Sequence, residues 1–516
     1  MNRYWSMLIC CAVFFGGCRT DLERIKQECS FADRMPLIKP DYSDITIPPN
    51  IAPLQFLLQD SSISSVAEIS SVNGSPILVK GKKGKFFIDD KSWKKLLSKN
   101  PGNPLHISIF ARTKEGKWLR YKTIENTIAR EPIDRYCTYR LLNFQYSYWR
   151  DLRECERDLT SFEQRELLST MNYSQYDQLK CINCHIPMNN NPGRFTLQLR
   201  SSTGGVETLI ANGDSLAILS SRIGHVAWHP DGRYIAFSSY KVQQYFHSVG
   251  RQFIDVYDND SYIAIYDVSE RKIFSLPQLS QQRILNTWPA WSADGRYLYY
   301  CSAPVLWNDN GEPPQNFNKT RYNLLRIAYD NDKNTWGDVD TVLTPEQTGL
   351  SIAMPRISPD NRFCLFCMQN YGPYPYIDAS SDLYLMDLKT GQYQKLNINS
   401  EYNESYHSWS QNSRWIIFSS RRDGGIFTRL YISHIDSLGN ASKAFIMPQR
   451  DPEFYDSFLK CYNVAEFAVA PVPFSQRQLQ RAIQSQNTIK LAFPPELVNR
   501  SAGNASNEWS PASSRE

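Results

Sequence analysis

Four stretches of the chain share one pattern, and the clearest of them is HVAWHPDGRYIAFS at residues 225–238. The three related stretches are WPAWSADGRYLYY at 288–300, MPRISPDNRF at 354–363 and YHSWSQNSRWIIFS at 406–419. In each stretch an apolar run reaches a turn of the Pro-Asp-Gly kind, and a second apolar run follows. The intervals are 63, 66 and 52 residues when counted at Trp228, Trp291, Ile357 and Trp409. The pattern indicates a repeated antiparallel unit.

Each interval is long enough for two further strands. Strand-like alternation is found at residues 262–268 with 272–276, and at residues 382–388 with 393–396. Four antiparallel strands in each of several repeats are typical of a β-propeller. The sequence therefore predicts a mainly β chain with a propeller over residues 194–475.

The number of blades depends on both ends of this region. Beyond the four explicit repeats, a fifth blade can be assembled from a first strand at 465–472 and further strands at 195–200, 206–210 and 216–219. Closing the ring with a C-terminal strand removes the free sheet edges. We therefore predict five blades. Six is the alternative, and it requires the segment before residue 194 to supply a blade.

The repeats resemble the PD40 (WD40-like, TolB-type) propeller family, and Asp423-Gly424-Gly425 resembles a further turn of that family. The third and fourth repeats depart from Asp-Gly with Asp360-Asn361 and Asn412-Ser413. The whole arrangement is similar to bacterial lipoproteins in which a β-rich part and a Cys-x-x-Cys-His segment precede a TolB-like propeller. That resemblance implies a cell-envelope protein and no specific activity.

The N-terminus has the pattern of an export signal. Arg3 precedes an apolar run from Met7 to Phe15, and Gly16-Gly17-Cys18 resembles a lipobox. We predict a signal peptide at 1–17 and lipidation of Cys18, which would make the membrane a partner through a lipid anchor. An ordinary signal peptide cut near Gly17 is the alternative. The expected location is the bacterial cell envelope, on the periplasmic side or facing the surface.

The remaining segments are assigned by composition and alternation. Between the tether and the propeller we predict a small β-sandwich-like domain and then a connector with a helix that starts at a capping box of Ser161 and Gln164. The predicted limits are 18–45 for the tether, 46–132 for the sandwich, 133–193 for the helical connector and 476–516 for a polar tail.

Residues Cys181-Ile182-Asn183-Cys184-His185 spell Cys-x-x-Cys-His, the attachment signature of a c-type haem. The two thiols would bond the haem vinyl groups from one helical turn, and His185 would be the proximal ligand of the iron. With 12 Cys and 7 His in 516 residues, chance would give the pattern on the order of 0.004 times per chain. We therefore predict one covalent haem c at Cys181, Cys184 and His185.

Three functions compete at this stage. The first is a lipid-anchored haem propeller for electron transfer or haem-based sensing. The second is a non-redox scaffold that binds a protein, glycan or envelope component at the propeller face. The third is that Cys181 and Cys184 form a disulfide, or bind a metal together with His185.

Composition and motifs give little support to a nucleic-acid-binding protein or to a known class of hydrolase. The net charge of +5 is nearly balanced, and this does not favour nucleic acid as a partner. Gly213-Asp214-Ser215-Leu216 matches a hydrolase tetrad by letter, but its position between strand patterns indicates a turn. The sequence has no Gly-x-Ser-x-Gly and no His-Glu-x-x-His. It therefore gives no catalytic residue, and enzymatic activity is left open.

Three long segments rich in aromatic residues lie between the second and third strand patterns of their repeats. They are residues 240–261, 303–322 and 369–381. Long loops in compact domains are often functional. We predict a binding face there, with the alternative that these aromatic side chains pack on one another.

Overall fold

The computed structural model describes residues 21–144, 151–173, 179–201, 206–221, 223–247, 254–308, 314–485 and 488–497. The predicted lipidation site, Cys18, lies outside these residues. The described chain forms two compact units, one of residues 21–133, 159–162 and 443–458, and one of the rest. No helix among the described residues is both long and apolar enough to cross a membrane.

The first unit is built on one mixed sheet and one small antiparallel sheet. The larger sheet contains Ser30–Phe31, Thr46–Ile47, Ser64–Ser71, Ile77–Lys80, Pro104–Arg112, Trp118–Arg120 and Ile124–Ile128. The smaller sheet contains Ile38–Lys39, Phe56–Leu58 and Lys85–Phe86. Two pairs in the larger sheet are parallel, so the sheet is mixed.

A helix at Asp90–Ser98 completes this unit, together with the strand Phe445–Ile446 and the short helix Phe454–Ser457. Asp89 caps the longer helix, because its carboxylate accepts a hydrogen bond from the Ser92 backbone N–H at 2.9 Å. Trp93, Leu96 and Leu97 are buried on the same face of the helix.

The second unit is a β-propeller. Its described strands form six successive sheets, which we call blades one to six and which are antiparallel except for one edge strand of blade two. Blade one contains Lys460–Ala468, Tyr136–Asn143, Arg153–Asp158 and Gln164–Ser169. Blade two contains Leu179–Met188, Asn191–Ser201, Val206–Asn212 and Ser215–Leu219, with Thr488–Ile489 at its edge. Blade three contains Gly224–Trp228, Tyr234–Phe246, Ile254–Asp267 and Lys272–Phe274.

The other blades follow in chain order. Blade four contains Ile284–Trp291, Tyr297–Pro304, Asn323–Asp330 and Thr335–Leu343. Blade five contains Ser351–Ile357, Phe363–Gln369, Asp382–Asp387 and Tyr393–Lys395. Blade six contains Glu404–Trp409, Trp415–Ser420 and Arg429–His434 in this unit. Helices of the unit include Pro345–Thr348 and Gln476–Gln484, and 3-10 turns occur at Thr170–Tyr173, Pro277–Leu279 and Phe317–Lys319.

The first-named strand of each blade is its inner strand, and the six inner strands contact one another in cyclic order. The C-terminal strand Lys460–Ala468 lies between the inner strands of blades six and two, so it closes the ring. The predicted closure by a C-terminal strand is therefore found, but among the described residues the ring has six blades rather than five.

The connector is where the prediction fails. Residues 133–193 were expected to carry a helix, yet their described part contains three strands of blade one, the inner strand of blade two and one 3-10 turn. The segment after Ser161 is the outer strand Gln164–Ser169, which pairs with Arg153–Asp158. The predicted turn at Gly213, by contrast, is confirmed between two strands of blade two.

The turns that decided the fold have the expected geometry. The residue at the Gly position of each repeat has a positive φ, with values of 81°, 73°, 57° and 61° at Gly232, Gly295, Asn361 and Ser413. Glycine adopts this left-handed conformation without strain, and Asn is the commonest other choice. The two departures from Asp-Gly therefore keep the turn.

Each inner strand also contains the same irregularity. Its pairing with the next strand shifts register over two residues, and in five blades the first of these has a positive φ: His225, Trp288, Met354, Tyr406 and Val464. In blade two the shift falls between Asn183 and Ile186, so its two residues are Cys184 and His185. The Cys-x-x-Cys-His sequence is therefore part of the structural repeat of the propeller.

Candidate functional site

Cys181 and His185 lie in the inner strand of blade two and face blade one. We call the layer between these two blades the seam. Cys181 is a partly buried free thiol that packs with Leu142, Leu152 and Cys461. Asn183 accepts a hydrogen bond from Arg140, which also donates to the carbonyl oxygen of Ile182 at 2.9 Å. The side chain of Cys184 lies outside the described part.

His185 is enclosed in the seam. His185 is only 2% exposed, and its ring packs on the ring of Phe195 with centroids 4.5 Å apart. Nδ1 lies 3.0 Å from Oγ1 of Thr138, whereas Nε2 is buried without a hydrogen-bond partner among the described residues. Burial lowers the pKa of His185 to about 3, so the ring is neutral at physiological pH.

A second buried titratable group lies on blade one. Glu154 is 1% exposed, and neither carboxylate oxygen has a hydrogen-bond partner within the described ranges. Burial raises its pKa to about 8, and the positive charge of Arg140, its partner on the neighbouring strand, opposes that rise. Glu154 is therefore largely protonated at neutral pH. His185 and Glu154 are therefore both uncharged in the seam, because burial away from water penalises the charged form of each side chain.

The described geometry differs from the arrangement expected for a covalent haem. Attachment would need both thiols and an open side of the imidazole at one exposed turn. Here the motif is a strand that pairs on its edge with Asn191–Ser201, and His185 is covered by Thr138 and Phe195. Cys181 and His185, as placed in blade two, would hold a haem only if the inner strand left its sheet. No group of three or more His, Cys, Asp and Glu that could hold a metal ion occurs among the described residues.

A different site lies at the end of the ring where second strands end and third strands begin. We call it the mouth cavity. Its walls come from blades one, five and six: Leu142, Phe144, Tyr376, Asn403, Ser405, Tyr406, Ser419, Arg421, Ile426, Thr428, Cys461 and Asn463. The centre of a water-sized sphere can occupy about 20 Å³ of it. Because about 10–15 Å³ suffices for one water molecule, the cavity admits one small polar group.

The walls of the mouth cavity are fixed by local contacts. The rings of Tyr376 and Tyr406 stack with centroids 4.9 Å apart. Arg421 donates to the carbonyl oxygen of Tyr376 at 3.4 Å, and Asn403 donates to that of Pro375 at 3.2 Å. The cavity is therefore preformed by the segment after the second strand of blade five and the start of blade six.

The predicted aromatic segments have a mixed outcome. Residues 240–246 and 254–261 are not a loop but long extensions of two strands of blade three. Tyr257, Trp307 and Tyr374 are buried and pack with neighbouring aromatic residues. Tyr376 alone of the aromatic residues in the three predicted segments lines the described mouth cavity. Sequence patterns missed Arg421 and the serines, because the walls come from three blades that are distant along the chain.

Comparisons with known proteins concern the fold. No family model matches the chain, and no curated protein matches its sequence. TolB from Acinetobacter baumannii is 14% identical with a TM-score of 0.42, and the match covers 71% of this chain and 80% of that one. A hypothetical selenium-binding protein from Sulfolobus tokodaii is 9% identical with a TM-score of 0.38, over 83% and 99% of the two chains.

An oligogalacturonate lyase from Vibrio parahaemolyticus is 9% identical with a TM-score of 0.33, over 74% of this chain and 100% of that one. Likenesses this distant carry no argument about activity. The chain contains a β-propeller because its own described strands form six sheets in a closed ring.

Proposed function

We propose that this chain is a binding protein of the cell envelope whose propeller recognises a partner molecule at the mouth cavity. The observation that carries the proposal is the cavity itself, where a stacked pair of tyrosines, a cation and buried hydroxyl groups converge. A concave site with apolar walls and a few placed polar groups is the usual form of a ligand site.

The seam is a poorer candidate for ligand binding. His185 and Glu154 are both more than nine-tenths buried and uncharged at neutral pH. At the mouth, Ile426 is 46% exposed, and Arg421, Tyr376 and Tyr406 are partly exposed. A partner can therefore reach the mouth without any strand leaving its sheet.

Crosslinking from inside the cell envelope tests this proposal. A photoreactive residue at Ile426 should crosslink a discrete partner, and one at Leu438 should not. Leu438 is the control because it is an exposed apolar residue, 76% exposed, in the turn after the third strand of the same blade. Ser419→Leu should fill the cavity and abolish the crosslink at position 426. Equal crosslinking from both positions, or a crosslink that survives Ser419→Leu, would refute the proposal.

The envelope location and the anchor rest on the sequence of residues 1–18. We propose that Cys18 is lipidated after removal of residues 1–17. Metabolic labelling with a fatty acid should mark the wild-type protein and not Cys18→Ser, and the variant should leave the membrane fraction. A fatty-acid label on the Cys18→Ser protein would refute lipidation at Cys18 and would leave the mouth-cavity proposal unaffected.

Covalent haem, with electron transfer or haem sensing, is the second candidate. The complete motif supports it, as does the buried Nε2 of His185 that lacks a partner among described residues. When bound, such a group would supply one-electron redox chemistry. Binding would require the inner strand of blade two to leave its sheet.

The haem proposal has a direct test. The protein is produced in a host with the c-type maturation machinery, and a sharp reduced-minus-oxidised band that survives acid-acetone extraction is sought. The Cys181→Ser/Cys184→Ser variant should lose that band. A colourless wild-type protein of the peptide mass alone would rule out the haem, and it would leave the mouth-cavity proposal standing.

A further inference from the structure

The charge of the mouth cavity is one-sided. Arg421 is the one charged side chain among its described wall residues, and no carboxylate lines it. Glu404, an acidic residue next to wall residues Asn403 and Ser405, is fully buried, and Arg422, Ser400 and Ser420 bond it. The wall therefore favours a ligand group of negative charge.

The hydrogen-bonding groups of the wall suit an anion as well. Ser405 and Ser419 are 2% and 1% exposed, and Thr428 lies beside them in the wall. Oγ of Ser419 is buried without a hydrogen-bond partner among the described residues. A buried hydroxyl left unpaired is costly unless a ligand completes it. Ser419 is thus an independent sign that the cavity is built to hold a polar group.

Size and surroundings narrow the class of ligand. The space available admits one small polar group and not a drug-sized molecule. The exposed side chain of Ile426 and the stacked rings of Tyr376 and Tyr406 belong to the same wall. A ligand that ends in an anion and carries an apolar group next to it would contact both the polar and the apolar side chains of this wall.

Resting on the proposed function, we propose that the mouth cavity binds a carboxylate group, which Arg421 pairs through its guanidinium and Ser419 binds through its hydroxyl. Arginine and a carboxylate match in geometry and make short, charge-assisted hydrogen bonds. Such a carboxylate belongs either to a small carboxylic acid or to the C-terminus of an extended peptide.

The test measures binding to the full mature chain by fluorescence anisotropy. The probes are a dye-labelled hexapeptide that ends in a free leucine carboxylate and the same peptide with a C-terminal amide, with acetate and inorganic phosphate as competitors. The free acid should bind at least about tenfold more tightly than the amide, since hydrogen bonds between charged groups are worth this much or more. Competition by acetate at similar concentrations to the peptide assigns a small carboxylic acid, and weak competition assigns a chain terminus. Equal binding of acid and amide, or phosphate competing better than both carboxylates, overturns the proposal.

Two variants and one control test whether the carboxylate binds in the mouth cavity. Arg421→Ala should weaken binding of the free acid about tenfold or more and leave the amide unchanged. Ser419→Ala should weaken it several-fold with an unaltered unfolding midpoint, because this hydroxyl has no described partner to lose. Arg414→Ala, at the turn after the inner strand of the same blade, is the control and should bind as the wild type does. If crosslinking at Ile426 succeeds while acid and amide bind alike, the carboxylate proposal fails and the proposed function stands.

Discussion

His185 in blade two and His407 in blade six occupy the same position in the propeller repeat. Each is the second residue of the register shift in its inner strand. Each is nearly fully buried, and burial lowers each pKa to about 3. The difference is in their hydrogen bonds. Nε2 of His407 lies 3.0 Å from the carbonyl oxygen of Leu365, whereas Nε2 of His185 has no partner in the described part of the chain.

This pair shows how a chemical motif and a structural repeat can share one sequence. The other four blades place Val226, Pro289, Pro355 and Ala465 at the position of His185 and His407. The position therefore accepts apolar side chains, and a histidine there needs no chemistry to account for it. In His185, however, only one ring nitrogen has a hydrogen-bond partner among the described residues, and the propeller repeat does not explain the buried Nε2.

The largest expected effect separates the two histidines. His407→Leu should lower the free energy of unfolding by about 2–3 kcal/mol, because it leaves the buried carbonyl oxygen of Leu365 without this donor and changes the packing. His185→Leu should cost less than about 1 kcal/mol, because it exchanges one hydrogen bond for the removal of an unpaired Nε2. Urea unfolding at neutral pH measures both. Equal losses would show that the two sites are alike.

The next effect concerns how the free energy of unfolding depends on pH through Glu154 in the seam. Glu154 has a folded-state pKa of about 8, raised from 4.5 by burial. Its carboxyl group stays protonated in the folded protein while the unfolded chain ionises, so stability is lost as pH rises from about 4.5 to about 8. Glu154→Gln should remove that loss, which we expect to reach about 2 kcal/mol by about pH 6, and should flatten the curve above pH 4.5.

The same series of unfolding curves contains its control. Glu404 is also a buried glutamate, but Ser400, Ser420 and Arg422 bond its carboxylate. Glu404→Gln should therefore destabilise the protein at all pH values, because it weakens a bonded network. A Glu154→Gln variant that is destabilised in the same way would mean that Glu154 is bonded and charged in the folded state.

The blades that the sequence revealed and those it hid differ in physical terms. Blades three to six carry apolar inner strands and a left-handed turn residue at a fixed offset, such as Gly232 and Gly295, and these were predicted. In blade two the second to fourth strands were predicted, but the inner strand was wrongly taken from residues 465–472. The true inner strand turns at Asn189 and Asn190, with φ of 46° and 61°, a turn that Asn residues favour in tight hairpins. Blade one was hidden because its strand Arg153–Asp158 is charged and yet buried.

The candidate site was less accessible to prediction than the fold. The motif drew attention to Cys181, Cys184 and His185, which the structure places in a closed seam as far as their side chains are described. Of the mouth cavity, only Tyr376 lay in a segment predicted to bind. Arg421 and Ser419 belong to no motif, and only the packing of blade six against blade one brings them together with Asn463.

The smallest expected effect isolates the one described hydrogen bond of His185. Thr138→Val removes Oγ1, which lies 3.0 Å from Nδ1, at nearly constant volume, and should cost about 1 kcal/mol. In the His185→Leu background the same change should cost close to nothing, since the partner is already gone. A double-mutant cycle by urea unfolding gives the coupling energy. If the cost of Thr138→Val persists in that background, then the carbonyl oxygen of Glu466, 3.5 Å from Oγ1, is the partner that matters, and His185 is held in the seam by packing against Phe195.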